Sequence, residues 1–96
     1  MKRFPKDCGL LCRVAYTLSE IFQNEHGNVA SVSPGDLSKS ADVPPFVIGE
    51  IFRALENRGY MKCERVGGRR LRCFISRDSP LWKSDYREIL KILETL

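Results

Sequence analysis

A glycine pair inside an alternating, arginine-rich stretch constrains the fold of this chain more than any other feature. From Arg58 to Arg77 the sequence reads RGYMKCERVGGRRLRCFISR, with apolar and polar residues alternating on both sides of Gly67-Gly68. Such alternation predicts strands at 60–65 and 69–76. Matching their apolar faces requires a three-residue loop, most simply 66–68 with Gly68 left-handed. We therefore expect a β-hairpin.

The same stretch concentrates the positive charge of the protein. It holds seven of the sixteen Lys and Arg residues and one acid, Glu64, so its net charge is +6 against +4 for the whole chain. Guanidinium groups on a hairpin tip suit phosphate oxygens or the negative potential of the minor groove. The alternative interpretation is a solvated hairpin face that has no partner.

Length and composition indicate one ordinary globular domain. The chain has 96 residues, of which 43% are hydrophobic and 29% charged, enough for a single core. No apolar run approaches the length of a membrane span, and no signal-peptide pattern follows the basic N-terminus, so we expect a cytoplasmic protein. No nucleophile–histidine pair, metal-spaced carboxylate set or phosphate-binding loop is recognisable, so neither an enzyme nor a cofactor is expected.

Three helical segments precede the hairpin. The first is predicted from about Cys8 to Asn24, capped by Asp7 and ended by Gly27, and residues 29–32 read as a short strand. The second opens at Ser33-Pro34 with an acid three residues after the cap. The third runs from about 45 to 58, since two prolines break the chain before it and Gly59 ends it. Its apolar stripe is Ile48, Ile51, Phe52 and Leu55.

A last helix is predicted at 81–96, capped by Ser79-Pro80. Its apolar residues step by four and three, which is the spacing of a coiled-coil seam. The helix either folds back on the first helix or pairs with its twin across a two-fold axis, and we favour a homodimer. The residues assigned to dimerisation are Trp82, Tyr86, Ile89, Leu93 and Leu96.

The four cysteines do not form a dense framework. Their spacings, Cys-x3-Cys and then Cys-x9-Cys, differ from usual zinc patterns, so no metal is expected and buried, apolar thiols are favoured. Cys63 and Cys73 should share one face of the hairpin, near or opposite each other. They are a possible disulfide in a host that oxidises such pairs.

This order of elements resembles the winged helix-turn-helix family. The stretch SPGDLSKSADVP from Ser33 resembles the family's second helix and turn, and IFRALENRGY from Ile51 resembles the end of its recognition helix. The resemblance covers about residues 8–76. It implies an α+β fold of three helices and a hairpin wing, with a domain at 1–78 and an added C-terminal helix at 79–96.

The resemblance implies double-stranded DNA binding and transcription regulation, with the third helix in the major groove and the wing on the backbone or minor groove. The outward residues of the third helix are Pro45, Phe46, Gly49, Glu50, Arg53 and Asn57. The wing residues are Lys62, Arg65, Gly67, Gly68, Arg69, Arg70 and Arg72. Contacts to the DNA backbone fall to Ser33, Ser38, Lys39, Lys2, Arg3 and Lys6.

A protein-interaction module of the same fold is the second hypothesis. The third helix is electrically neutral, because Arg53 and Arg58 are matched by Glu50 and Glu56. Phe46 is either exposed on that helix or tucked under the turn as core. A neutral helix, an exposed aromatic and an apolar last helix would suit a subunit of a transcription or replication assembly.

Overall fold

The computed structural model describes residues 3–68 and 70–96. Within them the chain is α+β, with four helices and a three-stranded antiparallel sheet. The helices are α1 (Leu10–Asn24), α2 (Pro34–Ala41), α3 (Pro45–Asn57) and α4 (Tyr86–Glu94). The strands are β1 (Val29–Val32), β2 (Lys62–Val66) and β3 (Arg70–Ser76). In this part of the chain, no helix combines the length and apolarity needed to cross a membrane.

The sheet has the order β1-β3-β2, so the hairpin strand β3 lies in the middle. Ala30 pairs with Ile75, and Val32 pairs with Cys73. These four side chains lie on one face of the sheet, because paired residues of an antiparallel ladder point to the same face. All four are buried. The short strand expected at 29–32 is therefore confirmed, and it extends the hairpin into a sheet that covers the helices.

Helix α1 ends at Asn24 as expected, but its start and the residues at its two caps differ from the expectation. Its cap is Gly9, which makes no side-chain hydrogen bond, and the helix starts at Leu10. The prediction that Asp7 caps the helix from Cys8 is wrong, since Asp7 itself takes a left-handed conformation with φ 60°. The helix ends with Glu25 in extended geometry, so a left-handed Gly27 is not needed and that prediction is also wrong.

Helices α2 and α3 form as the capping residues predict. The Ser33 hydroxyl accepts a hydrogen bond from the Asp36 amide at 3.5 Å, with Pro34 in the first helical position. At the other end of α3, Gly59 has φ 80° and its amide donates to Glu56 O at 3.0 Å. The Tyr60 amide donates to Leu55 O at 3.0 Å. Together these two bonds form the Schellman turn that glycine permits.

One core runs through the molecule. The predicted inward stripe of α3 is buried, and α1 contributes Val14, Leu18 and Phe22 from its own inward face. The core also includes Leu81, Ile89 and Leu93 from the C-terminal segment. The C-terminal segment 79–96 thus shares one core with the rest of the chain. Within that core, α4 packs against α1.

The last helix is shorter than predicted. It begins at Tyr86 after an Asp85 cap, whose side chain accepts from the Arg87 amide at 2.9 Å. Hydrogen bonds from the Arg87 side chain and then its backbone hold the pKa of Asp85 below its ordinary value. A start at Leu81 is wrong because the Ser79 hydroxyl donates to Tyr60 O at 2.7 Å. That bond fixes a non-helical turn, in which Leu81 is buried.

All four cysteines are paired in disulfides, Cys8 with Cys12 and Cys63 with Cys73. The expectation of buried thiols is therefore wrong, and Cys8 and Cys12 are half-buried. The hairpin pair lies directly opposite across β2 and β3, with Cα atoms 4.0 Å apart. Alternation predicted that the two cysteines share a face, and the observed register places them opposite each other. The first pair joins the N-terminal segment to the first turn of α1.

Candidate nucleic-acid interface

The outward face of α3 carries one continuous exposed stripe. At 3.6 residues per turn, positions 46, 49, 50, 53 and 57 fall on one side of a helix and the buried stripe falls on the other. The six residues expected to point outward are all exposed: Pro45, Phe46, Gly49, Glu50, Arg53 and Asn57. Phe46 is 75% exposed, so its placement under the turn as core is excluded.

The two charged residues in the middle of this stripe face each other. Arg53 Nη1 lies 3.6 Å from Glu50 Oε1, one helical turn away. An exposed pair of this kind contributes little to stability, but it lowers the positive potential along the helix. The remaining groups of the stripe are an aromatic ring, a bare glycine and the amide of Asn57 near the C-terminal end.

The hairpin loop is one residue later than predicted. Val66 pairs with Arg70, so the loop spans 67–69 and the predicted span of 66–68 is wrong. A β-branched valine favours extended geometry, whereas Gly67 and Gly68 take φ values of 66° and 81°. Three residues is the expected loop length. Arg69, assigned to the wing from the sequence, lies outside the described residues.

The outer face of the hairpin gathers most of its basic residues. Lys62, Arg70 and Arg72 share this face, since they pair with Phe74, Val66 and Glu64 respectively. Lys62 and Arg70 are exposed and Arg72 is half-buried. Arg65 pairs with Leu71 on the opposite face, beyond the edge of the core, and both are exposed. Positive charge thus extends to both faces of the tip.

The hairpin is joined to α3 by a turn and by one hydrogen bond. The Schellman turn at Gly59 leads directly into β2. One Glu56 carboxylate oxygen accepts a hydrogen bond from the Cys63 amide at 2.8 Å. In the sequence, Glu56 is recognisable only as a charge on α3. Its role as an anchor depends on the approach of β2, which local pattern does not reveal.

One arginine of the basic stretch belongs to the fold. The Arg77 guanidinium donates to Gly27 O through Nη2 at 2.6 Å and to Glu25 O at 3.0 Å. It also lies 4.4 Å from the centre of the Trp82 ring, which stacks on Phe22 with centroids 5.0 Å apart. Arg77 therefore joins the loop after α1 to the C-terminal segment, and its charge does not serve the hairpin tip.

Of the described residues proposed to contact the DNA backbone, the basic ones are exposed and the two serines are engaged within the fold. Lys39 and Arg3 are exposed, and Lys6 is exposed beside them in sequence. Ser38 is only 8% exposed and donates to Val43 O at 2.6 Å, so its assignment to DNA is wrong. The Ser33 hydroxyl is used in the α2 cap. Lys2 lies outside the described residues.

A groove of about 440 Å³ between α1, β1 and α2 had no counterpart in the sequence analysis. Its lining includes Glu20 and Asp36, together with Arg72 from β3. The residues come from four separate elements, so no local motif marks them. With Glu25, three carboxylates line the groove beside Arg72, so its setting is more acidic than that of Lys62 or Arg70, and Arg72 is the least available cation of the outer face.

The residues assigned to dimerisation are divided by the packing of α4 on α1. Ile89 and Leu93 are 0% and 3% exposed within a single chain, so these two side chains are not accessible to a second copy. Trp82, Tyr86 and Leu96 are half-buried. Tyr86 packs edge-on against Tyr16 with centroids 5.5 Å apart. The fold-back arrangement left open by the sequence is the one observed.

The comparisons with known proteins give no family for this chain. No protein-family model matches it, and no characterised protein or solved structure is significantly similar to it. Function therefore has to be argued from the surface just described.

Proposed function

We propose that this chain is a double-stranded DNA-binding transcriptional regulator with a winged helix-turn-helix fold, working as a cytoplasmic homodimer. Helix α3 enters the major groove, and the β2–β3 hairpin is the wing that contacts the backbone or the minor groove. Arg53 is the candidate for guanine and Asn57 for adenine, since these side chains can make paired hydrogen bonds to those bases.

The observation that carries the proposal is the joint exposure of two surfaces held in fixed relation. The outward stripe of α3 is exposed throughout, and Lys62 and Arg70 are exposed on the outer face of the hairpin. The Glu56 carboxylate and the turn at Gly59 connect the two surfaces. A rigid helix beside a basic hairpin is suited to a duplex, whose groove and phosphates are also held in fixed relation.

Affinity should come mainly from the wing and not from α3. The Glu50–Arg53 pair at 3.6 Å leaves the helix nearly neutral, whereas the hairpin carries most of the net charge of the chain. Contacts to phosphates position a protein without reading sequence. Specificity then depends on a few groups of α3 and on the shape of the duplex.

Dimerisation would compensate for weak contacts by each copy. The half-buried Trp82, Tyr86 and Leu96 supply an apolar rim around the α1–α4 contact for a second copy. Two linked wings reach an affinity that neither achieves alone. Sedimentation should give a dimer that Leu96→Ser dissociates, with weaker DNA binding. A monomer that binds DNA equally well would refute this part.

The experiment that tests DNA binding compares two variants with the same change of charge. Random-sequence duplex is titrated with protein at several salt concentrations, using the wild type, Lys62→Gln with Arg70→Gln, and Lys83→Gln with Lys91→Gln. Loss of two phosphate contacts should reduce the log–log salt slope by about two. The control pair, on and before α4, should leave the slope close to that of the wild type.

A protein-interaction module is the second candidate, and the exposure of Phe46 favours it. A ring that is 75% exposed on a nearly neutral helix also suits an apolar partner groove. Binding of that kind responds little to salt. If the protein fails to bind duplex even at low salt, this candidate replaces the first one.

A further inference from the structure

We infer that Phe46 contacts the C5-methyl group of a pyrimidine in the major groove, and that Gly49 lets the duplex approach the helix beside it. The inference rests on the proposed DNA-binding function and specifies what α3 recognises. Thymine and 5-methylcytosine present the same methyl group in the same groove, so the ligand is defined here by that group.

Phe46 has the position and chemistry for this contact. It is the second residue of α3, and the N-terminal residues of a recognition helix are those that meet base edges. Its ring is 75% exposed, the highest value among the exposed large hydrophobic residues of the described chain. Phenylalanine has no hydrogen-bonding group, and the methyl group is the apolar feature of the major-groove edge. The ring can therefore distinguish bases only through that methyl.

Gly49 provides the second and independent observation. A glycine inside a helix is unfavourable relative to alanine, so its presence there requires a reason. Packing supplies none, because a Cβ at Gly49 would meet no atom within 4 Å. Nor does the backbone, since Gly49 is not among the described glycines with positive φ. A close external approach to the backbone remains as the reason, and Gly49 lies one turn from Phe46 on the same face.

Phe46 and Gly49 should contribute most of the selectivity among bases, because the only other side chains in the middle of the stripe are the charged pair Glu50 and Arg53. Glu50 lies 3.6 Å from one terminal nitrogen of Arg53, so the acid offsets the charge of Arg53 in this part of the stripe. Phe46 and Gly49 carry no charge that needs to be offset. The first turn of α3 therefore presents a preformed apolar surface to the groove.

The test uses short random-sequence duplex pools that differ in one methyl group. One pair of pools is made with thymine or with uracil, and a second pair is made with 5-methylcytosine or with cytosine. Wild type should prefer the methylated pool of at least one pair by about fourfold per contacted methyl, the value expected for burying one such group. The pair that shows the preference identifies the source of the methyl. Phe46→Ala should bind both members of that pair equally.

Matched variants separate this contact from general effects on folding or charge. Leu10→Ala removes a comparable exposed apolar group from the start of α1 and should keep the wild-type preference. Gly49→Gln adds an uncharged side chain that is compatible with the helix. It should remain folded, as judged by circular dichroism, and lose the methyl preference.

Each result decides the inference. Equal binding of all four pools by wild type, together with steep salt dependence, would overturn it and leave DNA binding standing. A methyl preference that survives Phe46→Ala would overturn the assignment to Phe46, and one that survives Gly49→Gln would overturn the role of Gly49. No binding to any pool at low salt would overturn both the inference and the proposed function.

Discussion

The arginines at the two ends of β3 differ in what surrounds them. Arg77, just past the C-terminal end, donates to two carbonyls of the loop after α1 and stacks on Trp82. Arg70, at the N-terminal end, is exposed, and no hydrogen bond or ion pair holds its side chain within the described part of the chain. Both add equally to the charge of the sequence. Both are exposed, but the Arg77 guanidinium is engaged by contacts within the fold, so Arg70 is the better placed of the two to meet a partner.

The two ends of the sheet therefore differ. We call the end near Arg77 the structural end and the end near Arg70 the open end. At the structural end, Phe22, Trp82 and Arg77 form a layered stack that joins α1 to the C-terminal segment. At the open end, the strands run past the core, and the tip is fixed by two left-handed glycines. Stability should therefore respond mainly to changes at the first end and DNA binding mainly to changes at the second.

The largest effect on stability is expected at Trp82. Trp82→Ala removes the stack on Phe22, with centroids 5.0 Å apart, and the surface under Arg77. We expect the free energy of unfolding to fall by about 3 kcal/mol, since aromatic-to-alanine changes in packed sites cost this much. Urea denaturation measures the effect. A change below about 1 kcal/mol would show that the structural end is not an anchor.

A smaller loss is expected at Arg77. Arg77→Gln removes the hydrogen bonds to Gly27 O and Glu25 O and the contact with the ring of Trp82, and should cost about 1.5 kcal/mol of unfolding free energy. Arg77→Lys keeps the charge without the planar, forked donors, so it is the matched control. Full recovery of stability in the lysine variant would mean that charge alone matters here.

At the open end, Gly68→Ala should have a moderate effect on stability. The residue has φ 81°, and an L side chain in this conformation costs roughly 1 kcal/mol. Space is not the cause, because a Cβ there would meet no atom within 4 Å. Thermal unfolding provides the measurement. Gly35→Ala, at a described glycine without a positive φ, serves as the comparison, and equal losses at both positions would contradict the conformational explanation.

The smallest effect on stability, with a clear effect on binding, is expected at Arg70. Arg70→Gln should change the free energy of unfolding by less than about 0.5 kcal/mol, as for most surface substitutions. It should also reduce the log–log salt slope of duplex binding by about 0.9. Both quantities are also measured for Arg77→Gln, which removes the same charge at the structural end. If the two variants lowered DNA affinity equally, the distinction between the two ends would fail.

Much of the fold follows from local pattern. The inward stripe of α3, the Ser33-Pro34 start of α2 and the end of α3 at Gly59 were predicted because periodicity, capping and left-handed glycines act within a few residues. The facing of Cys63 and Cys73 followed from alternation on the two strands. The predicted loop was one residue too early. Val66 stays in the strand, because a β-branched residue favours extended geometry, and the turn begins at Gly67.

Within the candidate site, exposure that depends on a single helix could be predicted, whereas contacts between separate elements could not. The sequence left the position of Phe46 open, whereas exposure of Glu50 and Arg53 follows from their position opposite the apolar stripe of one helix. The burial of Ser38 does not, because its hydroxyl bonds to Val43 O across the turn. Likewise, no local signal distinguishes Arg77 from Arg70, and the groove beside Arg72 is assembled from separate elements.

Residue periods and composition are enough to predict the order of the elements, the inward stripe of α3 and the concentration of positive charge in one hairpin. Tertiary structure decided which charges remain exposed. It also placed Ile89 and Leu93 in the core of a single chain, since the apolar stripe of α4 has the same pattern whether it packs on α1 or on a second copy. Only the packing of segments distant in sequence separates these outcomes, because burial is a property of the assembled chain.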